Sequence, residues 1–437
     1  MLRAMHFGSS RDVSAAQSSS LAWLIAPICG SERPDLRPEE VFSQSWQSIE
    51  MAQQAAEMAE LLAGRSRLDE VVAIAVGEVR CLLIDDRDRR YELLVSFESQ
   101  TSGRVTRLCT RPLLPADVEI RPPGPRDLPS MARLEALAPV QRDDGTQVLI
   151  DHKGRQFDHS SVLTDHRWLA AFHGDAVVAV QGVALANAPI DGEMCRIAYN
   201  HYSRSDPQRR QGGNVMHLIA TLYRDVHPLI DQFVSLVDVQ NTTGLRLSFG
   251  TPWPSLLRRL FLPVAALAAL DAPGPKVRTG DLEHAAAVLN ATHEGLNLWV
   301  PRTAEFIRER QRRAPEVYPP SGLSVSEHAV LAVWPSGETR TYTRDGHATV
   351  RRLALALDYG FTGESGRREF EGLLRRAATD LLGTGTTHIA LFVSDNHPPT
   401  QWLLELADHV DTYAACTPSL RRPLCPAGPT YIDQIIF

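Results

Sequence analysis

Hydrophobic and polar positions divide the chain into three stretches with different periodicities. In the first stretch, apolar residues recur at helical spacing after Pro38, which predicts an early helix. Short runs rich in β-branched and aromatic residues follow, and they predict a meander of strands at 71–76, 80–85, 91–98 and 104–110. Helices followed by an antiparallel sheet indicate a small α+β domain.

The second stretch starts after a proline-rich seam at residues 121–126 and opens with an amphipathic helix. A hairpin that turns at Gly174 and Asp175 comes next. Two hairpin strands, a long alternating strand, a helix and a further strand are predicted at 168–173, 176–186, 194–205, 216–226 and 233–239.

A similar seam at residues 271–276 precedes a third stretch with the same order of elements. Helices are predicted at 282–292, 303–313 and 367–382, and strands at 329–334, 338–342, 350–357 and 388–393. This recurrence predicts an internal repeat. We therefore expect an α+β protein with mixed sheets, divided into domains at 1–117, 118–272 and 273–437.

Composition narrows the functional classes. A hydrophobic content of 43% excludes disorder over most of the 437 residues, and no apolar run reaches the roughly 18–20 residues of a membrane span. The net charge of −7 argues against nucleic acid as the main partner. Six cysteines without a C-x-x-C pair argue against zinc or a disulfide scaffold and favour a reducing compartment. We expect a cytoplasmic protein without metal, membrane or nucleic-acid partners.

The segment 207–215, Pro-Gln-Arg-Arg-Gln-Gly-Gly-Asn-Val, lies between the long strand and the helix of the second stretch. The first turn of a helix offers unpaired N–H groups and the positive end of the helix dipole. Gly212 and Gly213 allow a ligand to approach the backbone, and Arg209 and Arg210 add positive charge. This arrangement fits a pyrophosphate cradle, although a plain turn has the same elements.

This segment resembles the acyl-CoA loop of the GNAT acetyltransferase superfamily, whose pattern is Arg/Gln-x-x-Gly-x-Gly/Ala. Arg210 and Gly213 fill the first two places, and Val215 replaces the small third residue. Asn241 stands at the family's usual asparagine after the following strand, and the resemblance covers roughly residues 118–265. It implies acetyl-CoA or another acyl-CoA as co-substrate, bound by Ser203, Ser205, Arg209, Arg210, Gln211, Gly212, Gly213, Asn214, Val215 and Asn241.

The same resemblance suggests catalytic candidates. Ser248 stands where many members have a tyrosine general acid, and a hydroxymethyl group is a poorer acid. Either the thiolate leaves unaided, or Tyr202 or Tyr199 takes the place of the acid. His201 shares strand parity with the two serines and is a candidate base, or else a half-buried strand residue. Glu193 is a second candidate base, or a solvated carboxylate. An acceptor pocket or an exposed polar loop is expected around Asp151, His152, Lys153, His159 and His166.

The third stretch lacks the arginines of the loop. Asp358 and Glu364 stand there instead and would repel a pyrophosphate, so we expect only the first copy to bind CoA. Residues 89–112, which carry the last two strands predicted in the first stretch, resemble small cystatin-like or steroid-isomerase-like domains, and we see no catalytic constellation in this stretch. The three-part layout is similar to that of a tandem acetyltransferase of the clavulanic acid gene cluster.

Three functional hypotheses follow. The first is an acetyl-CoA-dependent N-acyltransferase that acts on a small amine in antibiotic biosynthesis or self-resistance. The second is a non-catalytic acyl-CoA or metabolite sensor or docking protein, which Ser248 and the degenerate third stretch favour. The third is acylation of a protein N-terminus or lysine.

Overall fold

A computed structural model describes residues 66–75, 78–85, 90–98, 104–112, 114–115, 117–163, 165–209, 214–247, 250–272, 274–278, 280–395, 397, 400–418 and 429–431. The chain forms two compact units. One comprises Met1–Val118 with Gln208–Asn214, and the other comprises Glu119–Pro207 with Val215–Phe437. The helix expected after Pro38 lies outside the described residues.

The first unit contains the expected meander. Its four antiparallel strands pair in chain order: β1 (Ser66–Ala75), β2 (Glu78–Asp85), β3 (Arg90–Phe97) and β4 (Val105–Pro112). Alternate residues of β3, Leu93, Val95 and Phe97, are buried, as expected for a strand with one covered face. The predicted order of short strands in this stretch is confirmed.

The first half of the second unit, together with Val118 and Asn214 from the border of the first unit, contains the predicted strands and helices in their predicted order, with further elements between them. They are β5 (Val118–Arg121), α1 (Leu128–Leu137), β6 (Val140–Gln141), β7 (Gln147–Asp151), α2 (Asp158–Ser161), β8 (His166–His173), β9 (Ala176–Ile190), β10 (Glu193–Ser205), α3 (Asn214–Val226), β11 (Gln232–Asp238), α4 (Thr242–Leu247), β12 (Gly250–Pro263) and α5 (Val264–Ala268).

The second half has a similar series. Its elements are α6 (Leu282–Thr292), α7 (Ala304–Arg313), β13 (Leu323–Val325), β14 (Ala329–Trp334), β15 (Thr339–Arg344), β16 (His347–Phe361), α8 (Gly363–Leu381), β17 (His388–Ser394), α9 (Leu403–Leu406) and β18 (His409–Pro418). Side-chain caps mark two helix starts, because Asp281 accepts a hydrogen bond from the His284 N–H and Thr303 accepts one from the Phe306 N–H.

The strands that the structure describes in the second unit belong to one mixed sheet. The order is β5-β8-β9-β10-β11-β18-β12-β17-β16-β15-β7-β6, with β14 paired to β16 and β13 paired to β14. Among the strand pairs whose register the structure describes, β10 with β11 and β16 with β17 are parallel, and each of these pairs is joined by a helix, α3 or α8. The mixed sheet with helices confirms the expected α+β class.

The two halves exchange their last strands. Strand β18 of the second half lies between β11 and β12 of the first, and β12 in turn pairs with β17. Arg142 links the two halves electrostatically, since its guanidinium contacts Asp238 of β11 at 2.8 Å and Asp411 of β18 at 2.6 Å. One hydrophobic core therefore runs through both halves.

Helices cover both faces of the sheet in the first half. Leu222 and Val226 of α3 pack against Val183 and Leu185 on one face. On the other face, Met131 and Leu134 of α1 pack against a cluster around β8 and β9. Among the helices that the structure describes, none combines the length and the apolarity needed to cross a membrane.

Candidate active site

The parallel pair β10–β11 opens before either strand ends. Their register runs from Ile197–Gln232 to Asn200–Ser235 and stops there. Strand β10 continues to Ser205 and β11 to Asp238. Within the described residues, no hydrogen bond joins the two strands beyond this point, so β10 presents an unpaired edge toward β11.

A bulge in β10 directs the strand away from its neighbour. His201 pairs with Gly182 of β9 and Arg204 pairs with Val180, so Tyr202 and Ser203 together oppose a single residue. Tyr202 has a φ of 56°, in the left-handed region that a tyrosine rarely adopts. A bulge bends its strand and increases the local twist, which accounts for the opening.

The backbone of Ser205 faces this opening. The Asp206 N–H donates to the Val178 carbonyl at 2.9 Å, toward β9. Neighbouring strand residues point their N–H and C=O groups to opposite edges, so those of Ser205 point toward the place that β11 has left. An N–H group held at an unpaired edge can donate to a carbonyl oxygen or to an oxyanion.

A buried amide side chain holds the bulge. Gln181 of β9 has no exposed surface, and its Nε2 donates to the His201 carbonyl at 2.8 Å. Its Oε1 accepts from the Ser203 hydroxyl at 2.5 Å, and its Nε2 also contacts the Asn200 Oδ1. Sequence reasoning missed Gln181, although a glutamine inside an apolar strand signals a buried polar contact.

The cofactor-binding candidates are described only in part. Arg210, Gln211, Gly212 and Gly213 lie outside the described residues. Arg209 is exposed, and its carbonyl accepts from the side chain of Asn214 at 3.4 Å. Asn214 begins α3 and is followed by the half-buried Val215. The role of this segment in binding stays a prediction.

Asn241 lies in the turn after β11 and caps α4. Its Oδ1 accepts from the Gly244 N–H at 2.8 Å, and its carbonyl accepts from the Leu245 N–H. Asn241 thus acts as the N-cap of α4, a position at which asparagine is common. The candidate acid Ser248 lies outside the described residues.

His201 does not share a face with Ser205. The bulge adds one residue between them, so Ser205 pairs with Ala179 whereas His201 pairs with Gly182, on the opposite face of β9. Burial, together with nearby histidines, lowers the pKa of His201 to about 3, and its Nε2 has no hydrogen-bond partner among the described residues. We expected His201 and Ser205 to share a face because alternate residues of a regular strand do so, but the bulge makes β10 irregular between them.

The other strand candidates lie apart from the opening. Tyr199 is buried in the core, where its backbone pairs with Val234. Glu193 is the first residue of β10 and is exposed. At about 3.3 Å per residue, the length of the strand places Glu193 tens of ångströms from Ser205.

Tyr202 belongs to a buried polar cluster on the α1 side. Its hydroxyl donates to Glu135, which also bonds with the ring of His152 and accepts from Gln156 Nε2 at 3.0 Å. Burial and the Glu135 carboxylate raise the pKa of Tyr202 well above 10, which makes it a poor acid. Burial opposes ionisation of Glu135, but His152 and these hydrogen bonds outweigh it and lower its pKa.

Part of this cluster was expected to be a pocket or an exposed loop. The structure buries His152, whereas Asp151 and Lys153 pair with each other in a largely exposed position. Glu135 was missed altogether. Its spacing of four residues from the buried Met131 on α1 was the available signal.

The second half has a related opening that the protein fills itself. The parallel register of β16 and β17 runs only from Leu353–His388 to Leu355–Ala390. Beyond it, the buried Tyr359 extends its hydroxyl to the Phe392 carbonyl at 2.7 Å. One residue, Thr362, separates β16 from α8.

Asp358 corrects one expectation about this half. It lies within β16 rather than in a loop, and it is completely buried. Arg302 Nε donates to its Oδ1 at 2.9 Å, and the Tyr318 hydroxyl donates to its Oδ2 at 2.8 Å. Its charge is thus used inside the core, and only Glu364 stands at the helix start.

Within the described residues, no group of three or more histidine, cysteine, aspartate or glutamate side chains is arranged to hold a metal ion. No family model matches the chain, and no curated protein sequence matches it.

Several solved structures resemble the chain. An N-myristoyltransferase of Saccharomyces cerevisiae with bound myristoyl-CoA is 9% identical, with a TM-score of 0.49 over 73% of this chain and 85% of that one. A putative acetyltransferase from Pyrococcus horikoshii is 12% identical, with a TM-score of 0.43 over 74% and 97%. A GCN5-related N-acetyltransferase from Kribbella flavida is 17% identical, with a TM-score of 0.36 over 69% and 70%.

Proposed function

We propose that the chain is an acyl-CoA-dependent N-acyltransferase of the GNAT type, with acetyl-CoA as the donor. The observation that carries the proposal is the opening between β10 and β11, at which the Ser205 N–H faces an unpaired edge. The pantetheine arm of CoA contains amides, and an unpaired strand edge offers them backbone partners. The loop at 207–215, with its arginines and glycines, follows directly and suits the pyrophosphate.

In this proposal, the Ser205 N–H stabilises the oxyanion that forms when the amine of the acceptor attacks the thioester carbonyl. The new C–N bond forms, the C–S bond breaks, and the leaving thiolate takes up a proton. A thiol has a reference pKa of about 8.5, so the thiolate needs little help to leave. Removing one backbone donor of this kind typically costs about 10²–10³ in rate.

The proton of the amine is the second requirement. His201 is a weak base because its pKa is about 3, and its ring is buried. Tyr202 is held by Glu135 and keeps its proton. We therefore propose that the acceptor reacts as the neutral amine after losing its proton to water, which makes turnover rise with pH toward the pKa of the amine.

The acceptor we propose is a small amine-bearing metabolite, and the setting is specialised-metabolite biosynthesis or self-resistance in the cytoplasm. The resemblance of the loop and of the three-part layout to tandem GNAT proteins supports this choice. The filled opening of the second half supports a single CoA site, in the first half.

Thiol release tests the proposal. The protein is incubated with acetyl-CoA and a panel of amines, and free CoA thiol is titrated. Gly213→Glu places a carboxylate in the loop and is expected to abolish turnover without changing the fold. The matched control is Gly274→Glu in the second proline-rich seam, where a new Cβ lies 3.8 Å from the Arg375 guanidinium and nothing clashes. Equal turnover by wild type and Gly213→Glu would contradict the proposal.

A second candidate is a non-catalytic acyl-CoA sensor. The burial of His201 and the capture of Tyr202 by Glu135 favour it, because both leave the opening without an accessible base or acid from these two residues. Calorimetry separates the two functions. CoA binding without turnover of any amine in the panel would support the sensor.

A further inference from the structure

Gln181 is an unusual residue for the centre of a buried strand. It lies in β9 on the face covered by α3, since it alternates with Val183 and Leu185, which pack against that helix. Its side chain has no exposed surface. A buried amide costs several kcal/mol unless its hydrogen bonds are satisfied, so such a residue needs partners of matching geometry.

All partners of Gln181 lie at the opening or in β9 itself. Its Nε2 is 2.8 Å from the His201 carbonyl and 2.9 Å from the carbonyl of its neighbour Gly182. The same nitrogen contacts Asn200 Oδ1, and the Asn200 Nδ2 donates to the Ser235 hydroxyl at 3.2 Å. Gln181 thus reaches the last paired position of β10 and the first residues beyond it.

The two ends of the amide take opposite sides of the bulge. The donor end binds His201, which precedes Tyr202, and the acceptor end binds the hydroxyl of Ser203, which follows it. Tyr202 between them has a φ of 56°, and such a conformation costs on the order of 1–2 kcal/mol for a residue with a Cβ. The bonds of Gln181 offset this cost and keep the bulge in place.

We propose that Gln181 is a positioning residue for acyl transfer. It holds the bulge that turns the Ser205 N–H toward the thioester and keeps the edge of β10 from pairing with β11. This inference rests on the proposed function, and it assigns the geometry of the reaction centre to a side chain that does not touch the substrate.

Because the bulge is held by both the donor and the acceptor of the Gln181 amide, variants that remove one or both groups should differ in how much activity they lose. Gln181→Met keeps the length and volume and removes both functions. Gln181→Glu keeps the acceptor and regains a donor only when its carboxyl group is protonated. Ser203→Ala removes only the bond to the acceptor end. Gln232→Met is the matched control, because Gln232 is also buried but lies on β11 before the opening.

Steady-state kinetics with acetyl-CoA and a turned-over amine provide the first readout. We expect kcat to fall about 100-fold in Gln181→Met, since an error of about 1 Å in positioning costs about that much. We expect the KM and the calorimetric Kd for acetyl-CoA to rise less than about tenfold, a smaller change than in kcat, because the pyrophosphate loop is untouched and only part of the strand edge that faces the pantetheine arm is lost. Ser203→Ala is expected to lose about fivefold in kcat, and Gln232→Met to stay within twofold of wild type.

A pH profile separates positioning from mere stability. The kcat of Gln181→Glu, divided by that of wild type at the same pH, is expected to rise as pH falls and the new carboxyl group gains its proton. The ratio for Gln181→Met is expected to be independent of pH. A Gln181→Met enzyme with wild-type kcat, or two ratios that follow the same pH course, would overturn the inference.

A crystal structure of Gln181→Met tests whether Gln181 holds the bulge, and this test does not depend on an activity measurement. We expect Tyr202 to return to a negative φ and the β10–β11 register to extend beyond Asn200–Ser235. If Gln181→Met does not fold, the structure of Gln181→Glu at neutral pH gives the same test. An unchanged bulge would refute the role of Gln181. Absence of acetyl-CoA turnover by wild type, with the bulge lost in the variant, would refute the proposed function alone.

Discussion

The second unit contains two strand–helix junctions, β10 to α3 and β16 to α8, which have the same order of elements but different local structures. In the first half, residues 206–213 separate β10 from α3, and the strands beside them diverge around an unpaired edge. In the second half, only Thr362 separates β16 from α8, and Tyr359 bridges the diverging strands. Pairing between β10 and β11 stops at Asn200–Ser235, whereas a tyrosine side chain joins β16 and β17 beyond their register.

The start of α8 is also covered. The Thr362 N–H donates to the His328 carbonyl at 2.9 Å, and a Cβ on Gly366 would lie 2.6 Å from the same oxygen. Glu364 adds a negative charge in the first turn, where the helix dipole favours it. The second junction thus supplies its own anion and its own packing, which leaves a phosphate neither space nor charge.

Breaking the buried ion cluster of the second half should have the largest effect. Asp358→Asn removes the charge that Arg302 and Arg310 share, at 2.9 and 3.5 Å. Leaving buried guanidinium groups without their carboxylate costs about 3–5 kcal/mol. Urea unfolding should show this loss. Under conditions in which the variant is fully folded, its Kd for acetyl-CoA should equal that of wild type. A weaker acetyl-CoA affinity in the folded variant would argue that the second half takes part in binding.

Exchanging charges between the two junctions sharpens the comparison. Arg210→Glu in the first half should weaken acetyl-CoA binding about 100-fold, equivalent to about 2.7 kcal/mol, because a cation near the pyrophosphate becomes an anion. Glu364→Arg in the second half should create no binding site, since Tyr359 and His328 still occupy the space. Calorimetry on both variants, and on the double variant, measures this. Binding regained in the double variant would place a latent site in the second half.

The comparison also shows what a sequence reveals. The periodicity of strongly amphipathic and apolar segments located elements well, and the predicted bounds of α6 and β14 coincide with the observed Leu282–Thr292 and Ala329–Trp334. The bulge at Tyr202 was not predicted from the sequence. One inserted residue leaves the apolar alternation of a strand almost unchanged, but every side chain after it points to the opposite face of the sheet.

Long-range contacts were the other limit. The exchange that places β18 between β11 and β12 joins residues far apart in the chain, and local periodicity carries no information about such pairing. The same holds for Asp358, whose partners come from α7 and from the segments that flank it. Asp358 was expected in a loop but is a core residue, because β16 extends through it.

Each half contains a buried histidine with a strongly lowered pKa, His201 in the first and His293 in the second, and acid should destabilise the fold through both. Burial lowers the pKa of His201 and of His293 to about 3, against 6.5 for an exposed imidazole. Below pH 6.5, these two imidazoles bind protons in the unfolded chain but stay neutral in the folded chain. The free energy of unfolding therefore falls as the pH falls toward 3. At pH 5, each histidine accounts for about 2 kcal/mol of the loss.

Unfolding curves in urea between pH 5 and 7.5 test this. The loss of unfolding free energy between pH 7.5 and pH 5 should be smaller by about 2 kcal/mol in His201→Phe, and equally in His293→Phe. His347→Gln, which removes an exposed imidazole, serves as the matched control for the loss of a histidine. A loss equal to that of wild type in one of the two variants would show that the histidine of that half titrates normally in the folded state.

Removing a single hydroxyl from the filled opening should have the smallest effect. Tyr359→Phe keeps the ring that separates β16 from β17 and leaves the buried Phe392 carbonyl without this donor. The expected loss is about 1–2 kcal/mol of unfolding free energy, the penalty for one unsatisfied buried acceptor. Because the ring still fills the space, the Kd for acetyl-CoA should equal that of wild type. A second acetyl-CoA bound per chain in this variant would show that the hydroxyl, rather than the packing of the ring, keeps the second opening closed.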